Sequence, residues 1–186
     1  MRVVDPAGAE RALAAGRLRC PPCGGRLRPW GSARIRAIRV AGAPPVSVRP
    51  RRGRCVACGM THVLVPVWML ARRADAAPVV WWALAAHARG LGYRRIAQRL
   101  RRPQTTVRGW LRAFRSSAPA LLSAFGLGTA RPNAGGRVPA AVALVRAVER
   151  AARSVPAWRV SVLVSGSLLV RNTNQPHVSG SSQLAP

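Results

Sequence analysis

Tyr93–Phe114, YRRIAQRLRRPQTTVRGWLRAF, reads as two short helices with a tight break between them. In the first, Tyr93–Leu100, the side chains of Ile96, Ala97 and Leu100 share one face at helical spacing. In the second, Gln104–Phe114, Val107, Trp110, Leu111 and Phe114 follow the i, i+3, i+4, i+7 pattern of an amphipathic helix. Arg101-Arg102-Pro103 separates the two. Proline has no N–H and fits the first turn of a new helix, so Pro103 marks a restart. The outward side of the second helix carries Gln104, Thr105, Arg108 and Arg112, side chains that can reach base edges and phosphates. This is the layout of a helix-turn-helix whose second helix is the recognition helix. Many such turns place glycine after the first helix, where φ is positive. Here that residue is Arg101, which predicts a turn built differently or carrying strain.

An ordinary α-hairpin with a solvated basic face is the plainer reading. Two features argue against it. The pattern Ile96, Ala97, Leu100 followed by Thr106, Val107, Trp110, Leu111 resembles helix-turn-helix segments of transposases and bacterial regulators. The polar face is also wholly cationic, with no carboxylate between Asp75 and Glu149. The candidates for reading major-groove edges are Gln104, Thr105, Thr106 and Arg108, and the candidates for phosphate are Arg94, Arg95, Arg99, Arg101, Arg102 and Arg112. A bidentate Arg108–guanine pair is the most specific of these assignments, worth about 1–3 kcal/mol of discrimination.

The rest of the composition agrees. The chain has 186 residues and a net charge of +27, with 31 basic residues, all arginine, against Asp5, Glu10, Asp75 and Glu149. A GC-rich genome accounts for part of the arginine but not for the missing acids. The surface is a polycation that seeks a polyanion, nucleic acid first and an anionic membrane surface second. No stretch reads as a membrane span: Ala76–Ala88 holds Pro78 and His87 and falls short of the roughly 20 apolar residues needed. The N-terminus lacks the continuous apolar run of a signal peptide. A cytoplasmic, nucleoid-associated protein is expected.

Four cysteines form two matched halves, Cys20-Pro21-Pro22-Cys23-Gly24 and Cys55-Val56-Ala57-Cys58-Gly59. In a reducing compartment this pattern favours metal over disulfides. Two thiolates three positions apart can hold one ion, the following glycine permits a positive φ, and four thiolates close a tetrahedral structural site. One structural Zn²⁺ on Cys20, Cys23, Cys55 and Cys58 is the expectation. A redox C-x-x-C would need a thioredoxin-like βαβ surround, which is absent. Between the halves, Ile35, Ile38 and Val40 and then Val46 and Val48 have strand character, with Gly42-Ala43-Pro44-Pro45 as the turn; Thr61–Val65 reads as a third strand. His62 is expected to be a strand residue rather than a ligand. The lone histidines His87 and His177 are assigned no role.

The predicted architecture is α+β, mainly α. Residues 1–17 hold a helix, with Asp5 as N-cap, Pro6 at its first position and Gly16 as its stop. Residues 18–66 form a small β zinc ribbon. Residues 67–116 form a three-helix helix-turn-helix domain, whose first helix runs from about Pro78 to Arg89 and whose entry segment Pro66–Leu70 packs the two modules together. Trp81 and Trp82 are read as core or lid residues. Residues 117–170 are read as further helices, with Val142, Val145, Val148 and Ala152 turned inward, and 171–186 as a disordered tail.

Taken together, Cys20-Pro21-x-Cys23-Gly24-Gly25, Arg28-Pro29-Trp30-Gly31, Arg52-Gly53-Arg54-Cys55-x-x-Cys58-Gly59-x-Thr61-His62-Val63-Leu64 and Thr106-Val107-Arg108-Gly109-Trp110-Leu111 resemble an uncharacterised group of actinobacterial proteins that carry a zinc knuckle followed by a helix-turn-helix. That group is similar to the N-terminal DNA-binding segments of transposases, which implies a mobile-element or regulatory setting. Catalysis is not expected, because two-metal chemistry needs clustered carboxylates and these four are scattered. The expected partner is double-stranded DNA, not a membrane, with a homodimer or a transposase as protein partner. Two rival readings remain: a non-specific RNA or single-strand binder built on the ribbon with Trp30 as a stacking platform, and a zinc-stabilised protein-interaction module.

Overall fold

The structure, a computed structural model, describes residues 1–71, 73–124, 139–152, 156, 157 and 159. Its elements run β1 (Arg2–Val3), α1 (Pro6–Ala14), β2 (Leu27–Ser32), β3 (Arg36–Ile38), β4 (Val46–Val48), β5 (Arg51–Cys55), β6 (Thr61–Val63), β7 (Val65–Pro66), α2 (Ala77–Ala88), α3 (Tyr93–Leu100), α4 (Gln104–Ala124) and α5 (Ala140–Ala151). The class is α+β with helices predominating.

Helix α1 starts as its sequence dictates. Pro6 occupies the first turn, and the Asp5 carboxylate accepts the Ala7 N–H at 3.0 Å. The helix stops before Gly16, which adopts φ +64°. Leu13 lies buried against the inner face of a three-stranded antiparallel sheet, β2–β5–β6. Gly53 of β5 makes this approach possible, since a Cβ there would stand 3.0 Å from Leu13 Cδ1. Val3, Leu13, Cys20, Leu27, Cys55 and Leu64 form the small core of this part. The chain's first residues contribute a pairing that sequence reading missed, β1 running parallel to β7.

The spacer departs from expectation in one respect. The hairpin β3–β4 forms around the anticipated turn, with Arg36, Ala37 and Ile38 opposite Val48, Ser47 and Val46. It does not join Thr61–Val63 in one sheet. That strand pairs instead with β5, and β5 with β2. Both of these are arginine- and glycine-rich and so lack the apolar alternation that marks a strand in sequence. The hairpin belongs elsewhere: Ile38, fully buried, sits in the core of the helices.

That larger core is centred on α2, which buries Ala77, Val79, Val80, Trp81, Ala83, Leu84, Ala85 and Ala86. A helix apolar on every side is a helix enclosed on every side. Val67, Met69 and Leu70 of the entry segment, Ile96 and Ala97 of α3, and Val107, Trp110, Leu111 and Phe114 of α4 complete it, and Trp82 is half-buried at its edge. His87 bonds the Leu91 carbonyl through Nδ1 at 3.1 Å.

Two further expectations are corrected. Helix α4 does not end at Phe114 but runs on to Ala124, 21 residues in all, with Pro119 inside it. Proline removes the bond to the Arg115 carbonyl; both residues are exposed, so water can take that bond, and Ala118, Leu121 and Leu122 keep the apolar stripe going into the core. In α5 the buried residues are Leu144, Val145 and Val148, while Val142 and Ala152 are only half-buried. Of the helical reading of 117–170, residues 125–138, 153–155, 158 and 160–170 lie outside the described residues, as does the tail 171–186.

Arginines stitch the segment between the strands and the helices. Arg2 donates to the Met69 carbonyl, and Arg36 to the carbonyls of Leu70 and Arg73. Burial lowers the pKa of both guanidinium groups, with the charge of Arg36 adding to the effect at Arg2. Asp75, 3% exposed, takes Arg39 at 2.6 Å and Arg102 at 2.5 Å. The chain's other carboxylates are also paired: Asp5 with Arg11, Glu10 with Arg51 and Glu149 with Arg89.

Candidate metal centre and nucleic-acid interface

The two cysteine halves adopt the same backbone geometry. In the first, Gly24 N–H donates to the Cys20 carbonyl at 2.8 Å and Cys20 N–H to the Gly25 carbonyl at 2.8 Å. In the second, Gly59 N–H donates to the Cys55 carbonyl at 3.1 Å and Cys55 N–H to the Met60 carbonyl at 2.8 Å. Gly24 and Gly59 have φ of +69° and +72°, the left-handed turn that folds each C-x-x-C back on itself. The sheet then carries the two turns together, because Leu27 at the exit of the first half is paired with Cys55 at the entry of the second.

As a result the sulfurs of Cys20, Cys23, Cys55 and Cys58 all lie within 4.8 Å of one another. Cys20 and Cys58 are 3.7 Å apart, and Cys23 and Cys55 are 3.5 Å apart. A tetrahedron of sulfurs around a zinc ion at about 2.3 Å has edges of about 3.8 Å, so the donor set fits such an ion. Gly25 keeps the centre open: a Cβ there would stand 2.9 Å from Cys55 Sγ and 2.8 Å from Ala57 Cβ. The thiols of Cys20 and Cys55 are shifted in opposite directions. Burial pushes Cys20 up to about 12. The Cys58 N–H, 3.5 Å from the Cys55 sulfur, is the main influence pulling Cys55 down to about 6. His62 lies on β6 as expected, and its Nε2 is 3.2 Å from Cys20 Sγ. It neighbours the four-sulfur set without being needed to complete it.

The helix-turn-helix is built by α3, Arg101–Pro103 and α4. Arg101 takes the left-handed conformation, φ 50° and ψ 51°, at the one positive-φ position not held by glycine among the described residues. The turn therefore has the usual backbone shape with an unusual side chain. Arg102 N–H closes it on the Ala97 carbonyl at 2.9 Å, and the Pro103 carbonyl accepts from Thr106 and Val107 to start α4.

Gln104, Thr105, Arg108 and Arg112 are exposed on α4, opposite the buried Val107, Trp110 and Phe114; Thr106 is half-buried at the edge of the face. Arg94, Arg95, Arg99 and Arg101 are exposed along α3 and the turn. Arg102 departs from the expected set. Its side chain is 13% exposed and its guanidinium is committed to Asp75 and the Leu100 carbonyl, so it faces the protein rather than a phosphate. The pattern of alternating arginines gave no sign of which would turn inward.

Tyr93 was overlooked. Its ring lies beneath the Arg108 guanidinium at 5.4 Å and the Arg94 guanidinium at 5.8 Å, and Arg94 Nε donates to its hydroxyl at 3.3 Å. The first residue of α3 thus supports the central arginine of α4. The only sequence signal was an aromatic at a helix start; its ring is half-buried and also packs against the edge of the helical core.

Among the described residues, no helix is long and apolar enough to cross a membrane. Residues 72–122, from the end of the entry segment to near the end of α4, match the family described as Homeodomain-like domain. No curated protein and no solved structure matches the chain. The chain carries a homeodomain-like helix-turn-helix segment, an architecture that points to a nucleic-acid partner.

Proposed function

We propose that this chain is a sequence-specific double-stranded DNA-binding protein of transposase-associated or transcriptional-regulator type, acting in the cytoplasm on the nucleoid. The observation that carries the reading is the polarity of α4: Val107, Trp110 and Phe114 are buried in the core, while Gln104, Thr105 and Arg108 project outward from its first turns. Those three, with Thr106 at the margin, read major-groove edges. Arg94, Arg95, Arg99, Arg101 and Arg112 take phosphates and set the register. One recognition helix binds weakly by itself, so a homodimer or a transposase partner supplies the second contact.

Cys20, Cys23, Cys55 and Cys58 would hold one zinc ion. Bound there, the ion would supply a closed structural cross-link between the two turns, in a part of the chain whose apolar core is small. The chain has no catalytic role in this reading. Its four carboxylates lie apart and each is already engaged by arginine.

The test is selection of binding sites from a random duplex pool by the zinc-loaded protein, at two salt concentrations, beside Arg108→Ala. One enriched motif at the higher salt, relaxed at a single position by the variant, supports the reading. Equal loss of both proteins with salt, and no motif, would reduce the surface to a polyanion trap.

A further inference from the structure

We infer that the outward face of the β2–β5–β6 sheet is a second nucleic-acid contact, taking an unpaired base on Trp30 and the flanking phosphates on Arg28, Arg52 and Arg54. This surface is separate from α4 and does not rest on the duplex reading.

Strand alternation defines the face. Leu27, Gly53 and Cys55 point inward to α1 and the sulfurs, so Arg28, Trp30, Arg52 and Arg54 point the other way. Arg28 and Arg54 are direct cross-strand partners. Like charges opposite one another destabilise a sheet, and among the described residues no carboxylate pairs with either. All four carboxylates of the chain are engaged by other arginines. The face therefore presents a cluster of positive charge on which an anion can lie.

Trp30 specifies which anion. At 42% exposure it is the single aromatic among the exposed large apolar residues described. The ladder shifts register between Pro29 and Ser32, and Gly31 takes φ +73°, which sets the indole apart from the regular pairing. Arg54 and Arg28 lie against the ring at 4.7 and 5.5 Å. Arg54 is held in place by its Nε bond to the Gly59 carbonyl at 3.2 Å, within the second cysteine turn. A flat π surface with two guanidinium groups against it, one of them held in place, suits a base with its phosphates, and only an unpaired base offers its face.

The test uses the full zinc-loaded chain with fluorescent oligo-dT and oligo-U, neither of which folds or pairs. Trp30→Ala should weaken binding about tenfold, with Trp30→Phe largely retaining it. Arg28→Gln/Arg54→Gln should lower the slope of log K against log salt by about 1.4, from about 0.7 per phosphate on a single strand. A 5-iodouracil oligonucleotide should cross-link to the peptide holding Trp30, a readout that does not depend on any variant folding. The two oligonucleotides decide whether DNA or RNA is preferred. Unchanged affinity in both variants, or cross-links confined to α3 and α4, would overturn the inference. Duplex selection by Arg108→Ala reports on the other surface independently.

Discussion

Arg102 Nε donates to Asp75 Oδ1 at 2.5 Å, joining the turn of the helix-turn-helix to the residues just ahead of α2. Arg39, directly after β3, holds the same carboxylate through Nε at 3.1 Å and Nη2 at 2.6 Å. One buried acid thus fixes three segments distant in sequence. Removing it leaves two guanidinium groups facing each other without a counter-charge. Asp75→Ala should cost about 3–5 kcal/mol of stability, read by equilibrium denaturation. Arg102→Ala should cost less, about 1–3 kcal/mol, since Arg39 still satisfies the carboxylate. It should also leave the salt dependence of duplex binding unchanged, whereas Arg101→Ala lowers that slope by about 0.9. Equal slopes for the two variants would return Arg102 to the phosphate set.

Arg101 occupies a left-handed backbone position at φ 50°. An L-residue there costs roughly 1–2 kcal/mol, part of which glycine recovers. Arg101→Gly should therefore raise stability by about 0.5–1 kcal/mol in thermal unfolding while weakening duplex binding through the lost charge. A destabilised Arg101→Gly protein would mean that the side chain contributes more to the turn than its exposure implies.

The Tyr93 ring beneath Arg108 should matter through position rather than contact with DNA. Tyr93→Phe keeps the platform and should bind duplex like the native chain. Tyr93→Ala should weaken binding severalfold, in keeping with a cation–π contribution of about 0.5–1 kcal/mol. It should relax the same base position as Arg108→Ala, and the double variant should be no worse than Arg108→Ala alone. Additive losses in a competition titration would show the two to act separately.

The space beside the sulfurs is as specific as the sulfurs. Gly25→Ala places a methyl 2.9 Å from Cys55 Sγ, so zinc affinity should fall by more than tenfold in competition with a chromogenic chelator. Stripping the ion should release hydrogen-exchange protection from β2, β5 and β6 first and leave α2–α4 protected, because the two cores are distinct clusters. Acidification should act in the same direction, since the ion binds thiolates. Simultaneous loss of protection in both cores would make them one cooperative unit.

Much of this arrangement was legible in the sequence, for identifiable reasons. Helix α3 and the start of α4 announced themselves through 3.6-residue periodicity and Pro103, and the N-cap of α1 through Asp5-Pro6. The grouping of Cys20, Cys23, Cys55 and Cys58 followed from two matched turns. What stayed hidden depends on tertiary partners. Strands β2 and β5 are coded by arginine and glycine, and become strands only because α1 and the sulfurs pack on one side. Ile38 looked like ribbon and belongs to the helical core. Residues 115–124 continue α4 across a proline because Ala118, Leu121 and Leu122 find apolar partners, which propensity does not report. Arg102 differs from Arg101 only by which way the turn points it.

The length of α4 carries a mechanical consequence. At 21 residues it spans about 32 Å, with the residues proposed to read bases at one end and the packing with α5 toward the other. A tilt of about 10° as Gln104 seats in a groove would swing Ala124 through about 5 Å over that length. A change of angle at one end would thus arrive as a displacement of several ångströms at whatever the far end touches. The helix proposed to read DNA is then at once a probe and a pointer.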